Sequence, residues 1–258
     1  MKHLFTPLSI VSHKVWVTIM AVEIILVLVL WQLAGGGLIP GPLKVLSAIQ
    51  ETICSPEFVF NLISSLTLTI KGMGISIVIA LIISYLSVTA IAKPIAKFLV
   101  QCRYLTLTGL IFLFTLLTSN GSELKLSLLI FGIVPFFVTS QLSIISQIKQ
   151  EEYDLCTTLR MTKWRTLYEV IIRGRFDQVI EVMRQNFAIS WLMITMVEGL
   201  SMSEGGLGVM LIKANKYVNL PKVFALLIII FIMGICFDIV LSKLRFWFFP
   251  YSKLKVAK

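Results

Sequence analysis

Residues able to do chemistry are sparse in this sequence. His3 and His13 lie in the N-terminal lead, away from any acidic partner. Cys54, Cys102, Cys156 and Cys236 are scattered, with no CxxC pair, which suggests neither a disulfide framework nor a metal site. No His/Asp/Glu cluster has metal-ligand spacing, no nucleophile elbow occurs, and no phosphate-binding GxxxxGKS/T loop is present. The chain therefore has no recognisable means of hydrolysing a nucleotide. Two kinds of place remain. Glu23, Glu198 and Asp238 sit inside long apolar runs, and the stretch "EEYDLCTTLRMTKWRTLYEVIIRGRF", residues 151–176, is dense in charge.

An ionisable side chain in hydrocarbon is costly, so Glu23, Glu198 and Asp238 are candidate pathway or structural residues. Glu23 is the deepest and faces either a partner helix or a pathway. Glu198 stands at the end of its run and is expected to reach water. Asp238 is a turn or so from Lys243 and Arg245, and a local ion pair is expected there.

These residues are positioned by apolar helices. Of the 258 residues 57% are hydrophobic, and the mean hydropathy is +0.93. That composition indicates an all-α integral membrane protein. About 20 apolar residues cross the hydrocarbon core as a helix. Six segments qualify, near 15–34, 72–92, 98–118, 124–146, 179–200 and 222–242. The start, "MKHLFTPLSIVSHKVW", is not a clean signal peptide, and 15–34 reads as a retained first helix. The second segment has a polar lead-in, "FVFNLISSLTLTIK", and Pro135 inside the fourth reads as a kink.

The net charge of +10 follows from topology rather than from a nucleic-acid partner. With the N-terminus placed inside, the outer loops hold only Lys44, Lys125, Lys213, Lys216 and Lys222, and Lys71 is ambiguous. The other Lys and Arg residues fall inside, so both termini and the 151–176 stretch are expected in the cytoplasm. On the outer side, Leu43, Leu46, Ile49 and Ile53 recur at helical spacing, as expected of an interfacial segment. A Gly-rich turn, with Gly205, Gly206 and Gly208, precedes another short helix.

The charged stretch reads as two short helices meeting near 160–162. Acidic Glu151, Glu152 and Asp154 suit the first helix start. Thr162 can cap the second, whose Trp164, Leu167, Tyr168, Ile171 and Ile172 share one helical face. The competing reading is an amphipathic loop anchored on the membrane by Trp164.

From about residue 38 to 251 the chain resembles the permease subunit of a bacterial ABC importer. It is most similar to the nitrate, taurine and alkanesulfonate subgroup. The blocks that carry the likeness are "LIPGPLKVLSAI", "SLTLTIKGMGISIVIALIISYL", "WLMITMVEGLSMSEGGLGVMLIKANKYVNLPKVFALLII" and "FDIVLSKLRFWFFPY". The resemblance implies a single transmembrane permease domain over 1–258, with its core at 58–245 and the six-helix type I importer fold. It puts the 151–176 stretch at the family's EAA loop, inside a cytoplasmic coupling loop of about 147–178. Asp154, Leu155 and Cys156 fall at the Glu-Ala-Ala positions, Arg160 at the family's Gly and Arg173 at its Pro. Asp154, Leu155, Cys156, Leu159, Arg160, Met161, Thr162 and Trp164 are then the residues implied to couple to an ATPase.

The implied partners are ABC ATPase subunits, a periplasmic or lipid-anchored solute-binding protein, a second permease (self or paralogous) and the bilayer of the bacterial inner membrane. No cofactor is expected on this chain, since ATP and Mg belong to the ATPase. The implied solute is a small organic or inorganic anion such as a sulfonate or nitrate. Two rival readings stand beside this one: an ABC permease of another substrate branch, and a non-transporting membrane scaffold with a relic EAA loop.

Overall fold

A computed structural model of the chain describes residues 13–34 and 39–248. His3 and the last residues of the chain lie outside the described residues. Helix follows helix, with no strand among the described residues. The order is α1 (His13–Ala34), α2 (Pro42–Cys54), α3 (Pro56–Leu86), α4 (Ala92–Cys102), α5 (Leu107–Leu117) and α6 (Gly121–Ser146). Then come α7 (Gln150–Thr158), α8 (Lys163–Thr166), which runs on as a π-helix (Leu167–Arg173), α9 (Phe176–Leu200), α10 (Leu207–Lys216) and α11 (Leu220–Phe248).

Four helices are long and apolar enough to cross a membrane, over Val15–Leu33, Pro56–Leu86, Gly121–Ser146 and Leu220–Trp247. The expected third span is different. It starts earlier, at Ala92, and breaks after Cys102 into α4 and α5, bent by 117°. Each piece has 11 residues, or roughly 16 Å of helix, so only the pair together can span. The polar lead-in of the second span is continuous helix, making α3 31 residues long.

The inward stripe of α3 explains why those polar residues are tolerated. Asn61, Ser65, Thr69, Gly72, Ser76, Ala80 and Ser84 are buried. Small side chains let α6 approach closely, as membrane helix pairs favour. A Cβ on Gly72 would lie 2.6 Å from Leu129 Cδ2. Two of the hydroxyls are satisfied within α3: Thr69 donates to the Ser65 carbonyl at 2.8 Å and Ser76 to the Gly72 carbonyl at 2.7 Å.

α9 is too polar to pass as an apolar span, yet it is packed against α3, α6, α10 and α11. Its charges are paired. Arg184 bonds Glu181 at 2.7 Å and also pairs with Asp238 of α11, while Arg245 of α11 pairs with Glu181. The expected local pair between Asp238 and Lys243 or Arg245 is therefore replaced by a pair between helices. Five and seven residues along a helix do not face Asp238 within one turn, whereas Arg184 comes from the neighbouring helix.

α1 stands apart. Its spanning residues are exposed, and it meets the rest through Trp31, whose Nε1 donates to the Pro40 carbonyl at 3.0 Å. Glu23 is exposed on it. In α2 the inward face is Val45, Ala48 and Thr52, with Ile49 half-buried, whereas Leu43, Leu46 and Ile53 point outward. Most of the expected apolar stripe thus faces outward, while smaller residues pack against α11.

Candidate functional site

The starts of α3 and α6 and the turn before α10 enclose a cleft of about 1140 Å³. The turn is held by side chains from three helices. Gly206 N–H donates to Asn61 Oδ1 at 2.7 Å, Leu207 N–H to Ser65 Oγ at 2.8 Å and Gly208 N–H to Glu198 Oε2 at 2.8 Å. Ser65 Oγ also donates to Glu198 Oε1 at 2.6 Å. From α6, Lys125 Nζ donates to the Gly205 carbonyl at 3.2 Å. Three successive amides at the start of α10, which have no partner within their own helix, each gain an acceptor. A carboxylate there also suits the positive end of the helix.

The glycines are required by this closeness. Gly205 and Gly206 have φ of 74° and 121°, in the region L side chains avoid. A Cβ on Gly206 would lie 2.3 Å from the Glu198 carboxyl carbon, and one on Gly208 would lie 2.4 Å from the Thr195 carbonyl oxygen. The sequence-marked Gly turn is thus a built junction. Glu198, expected to reach water, is instead only 1% exposed, because α10 folds back over the end of α9. Lys125, expected in an outer loop, is 2% exposed. Sequence reasoning missed Asn61, Ser65 and Lys125. Their signal lies in the polar residues spaced four apart on α3.

At the opposite end the charged stretch forms two helices, as expected, but Trp164, Leu167, Tyr168, Ile171 and Ile172 of the second do not share one face. Cys156 is buried with Ile148, Val170 and Ile171, and Tyr153, Met161 and Leu167 pack around them. Burial pushes the Tyr153 phenol up, Glu152 adds to the rise and Arg175 opposes it. Leu155, Leu159 and Trp164 point outward and are 60%, 59% and 68% exposed. Asp154, Arg160 and Thr162 are exposed beside them. Trp164 and Tyr168 leave the face predicted for them because residues 167–173 wind as a π-helix, closed by Gly174 N–H on the Glu169 carbonyl at 2.9 Å. The wider winding turns Val170 inward beside Ile171.

The junction between α7 and α8 turns on Arg160, whose φ is 53°. Met161 N–H bonds the Cys156 carbonyl at 3.0 Å and Arg160 N–H the Thr157 carbonyl at 2.9 Å. This is a Schellman closure with Arg160 at the position that glycine favours. Thr162 then caps α8, accepting from Arg165 N–H at 3.4 Å. The conformation that glycine favours is thus held with an arginine in place. A left-handed L-residue costs about 1–2 kcal/mol, and glycine returns about 0.4–1 kcal/mol of that to unfolded-state entropy. Arg160→Gly is therefore expected to stabilise the loop by roughly 0.5–1 kcal/mol. Hydrogen exchange at the Arg160 and Met161 amides would read it, and faster exchange in the variant would contradict it.

Among the described residues no three His, Cys, Asp or Glu side chains gather as metal ligands. Among the described residues the arrangement offers no nucleophile–base pair. It offers a polar cleft at one end and an exposed helix pair at the other, joined by long membrane helices. No curated protein matches the chain. A family model described as the binding-protein-dependent transport system inner membrane component matches residues 58–246, from the first turn of α3 to the last turns of α11.

Proposed function

Because this chain belongs to the family of binding-protein-dependent transport system inner membrane components, a multi-pass membrane transport component rather than an enzyme, we propose that it is the permease subunit of an ATP-driven importer. The family match across most of the chain carries this reading. The bent pair α4–α5 counts as one span and the polar but paired α9 as another, which completes six helices of the type I importer fold. Both termini lie in the cytoplasm, the membrane is the bacterial inner membrane, and the cleft opens outward toward a solute-binding protein. A second permease, self or paralogous, faces the cleft and completes the pathway.

The α7–α8 pair is the coupling element, an eroded EAA loop that docks on ATPase subunits holding ATP and Mg. Its outward Leu155, Leu159 and Trp164 form the contact, while Cys156 and Met161 tie it to the body of the protein. A rigid helix pair transmits motion as a unit, which suits rocking of the two halves. The nitrate, taurine and alkanesulfonate subgroup is the nearest resemblance, and a small organic or inorganic anion is the solute class it favours.

The reading is tested with the transporter assembled from this chain and its genetic neighbours. Deleting residues 154–164 is expected to release the ATPase subunits and end ATP-driven uptake. A deletion protein that keeps its ATPase subunits and full uptake would exclude the coupling role.

A further inference from the structure

Glu23 and Arg103 are opposite charges that stand inside spans without an ionic partner among the described residues. Glu23 is exposed near the centre of the 22-residue α1. Its neighbours on the same stripe, Ile19, Met20, Leu26 and Val27, are exposed too. Among the described residues Glu23 has no hydrogen bond or ion pair. Arg103 sits at the break between α4 and α5, half-buried in a groove of about 330 Å³. Gly132, Pro135 and Phe136, from the middle of the 26-residue α6, line that groove with it. The charge pattern counts Arg103 with the inner cations, whereas the fold carries it into the span.

The partner that Arg103 does have is neutral. Its Nη2 donates to Tyr104 Oη at 2.7 Å, and its Cζ lies 4.9 Å from the centre of that ring. Among the described residues no Asp or Glu lines the groove. Unpaired charges at such a depth are costly, and both stand too far from the span ends to reach water by snorkelling. They do not meet within one chain. α1 touches α2 and, through Trp31 and Phe224, the start of α11, whereas Arg103 packs toward α6 and α9. Both surroundings are apolar and open: Tyr104 and Leu105 are exposed next to Arg103, as is most of α1. Lys71, half-way along α3, is another unbonded cation among the described residues, but it shares the cleft with Glu57, Glu123 and Glu204. Resting on the transport reading, which needs a second permease, we propose that this partner is a second copy of the chain and that Glu23 of each copy pairs with Arg103 of the other. Two-fold symmetry forms the pair twice. Each pair turns two costly intramembrane charges into one neutral, hydrogen-bonded unit, and α1 gains the packing that its own chain does not give it.

The test uses the full chain in mild detergent, expressed without an ATPase so that no other subunit bridges the copies. The copies carry two different tags, and co-purification is the readout. Parent copies are expected to co-purify. Glu23→Gln or Arg103→Gln is expected to weaken self-association about 10-fold, since two symmetry-related pairs go together. Glu23→Arg and Arg103→Glu each set like charges face to face, so either alone is expected to self-associate more weakly still. Mixing these two reversed chains puts opposite charges back at both contacts and is expected to restore co-purification. Parent copies that do not co-purify would overturn the second copy as partner. Neutral variants that associate like the parent would overturn the pair. Rescue only when both reversals sit in one chain would show a pair within the chain instead. Rescue of Glu23→Arg by Lys71→Glu, and not by Arg103→Glu, would move the contact to Lys71. Should a reversed chain fail to insert, the neutral variants decide alone. Self-association needs neither ATPase nor solute, so the transport reading stands or falls separately, on deletion of 154–164.

Discussion

Glu198→Ala is expected to destabilise the protein by about 3–5 kcal/mol, as when one member of a buried charged network is removed. The carboxylate accepts from Ser65 Oγ and Gly208 N–H in a site from which water is excluded. Alanine leaves both donors without an acceptor and removes the nearby negative charge that Lys125 senses. Loss is expected to begin at the turn, so amides 206–208 should exchange with solvent before the rest of α10. Glu198→Gln is the control. An amide of the same shape can still accept from Gly208 and donate to Ser65, so its cost is expected to be about 1 kcal/mol. Thermal unfolding in detergent and hydrogen exchange at residues 206–208 measure both effects. An alanine variant that melts with the parent and keeps those amides protected would show that the junction does not depend on Glu198.

Leu155→Asp combined with Leu159→Asp is expected to weaken ATPase binding by at least about 100-fold, as loss of central apolar anchors does at protein interfaces. Both leucines project from the α7 side of the pair and are among its most exposed apolar residues. The fold should be unaffected, because Cys156 and Met161, not these leucines, pack against Ile148, Val170 and Ile171. Co-purification of the ATPase with the double variant, set against its thermal melt, separates docking from folding. Cys156→Asp should do the reverse and loosen the loop itself. A double variant that binds ATPase like the parent would move the docking surface elsewhere.

Much of this was legible in the letters. Apolar runs of spanning length, the Gly-rich turn and the two-helix charged loop follow from composition and local spacing, whereas the coupling roles of Asp154 to Trp164 come from the family resemblance alone. Local signals suffice for such features because helix length, caps and turns depend on neighbours in sequence. The break after Cys102 is harder to read, since α4 and α5 together are as apolar as one span.

Tertiary structure alone decided which polar residues meet. Glu198 is buried because α10 returns over it. Asp238 is paired because α9 brings Arg184 alongside, and Asn61 and Ser65 matter because α3 lies against the turn. Hydropathy reports how each segment prefers lipid over water, but it carries no information on which helix covers which. Acceptors for amides 206–208 come from a residue 10 positions away in α9 and from residues 142 and 145 away in α3, and only packing joins them. The long apolar helices were thus determined by the sequence itself, while the polar junction and the cleft exist only once those helices are packed.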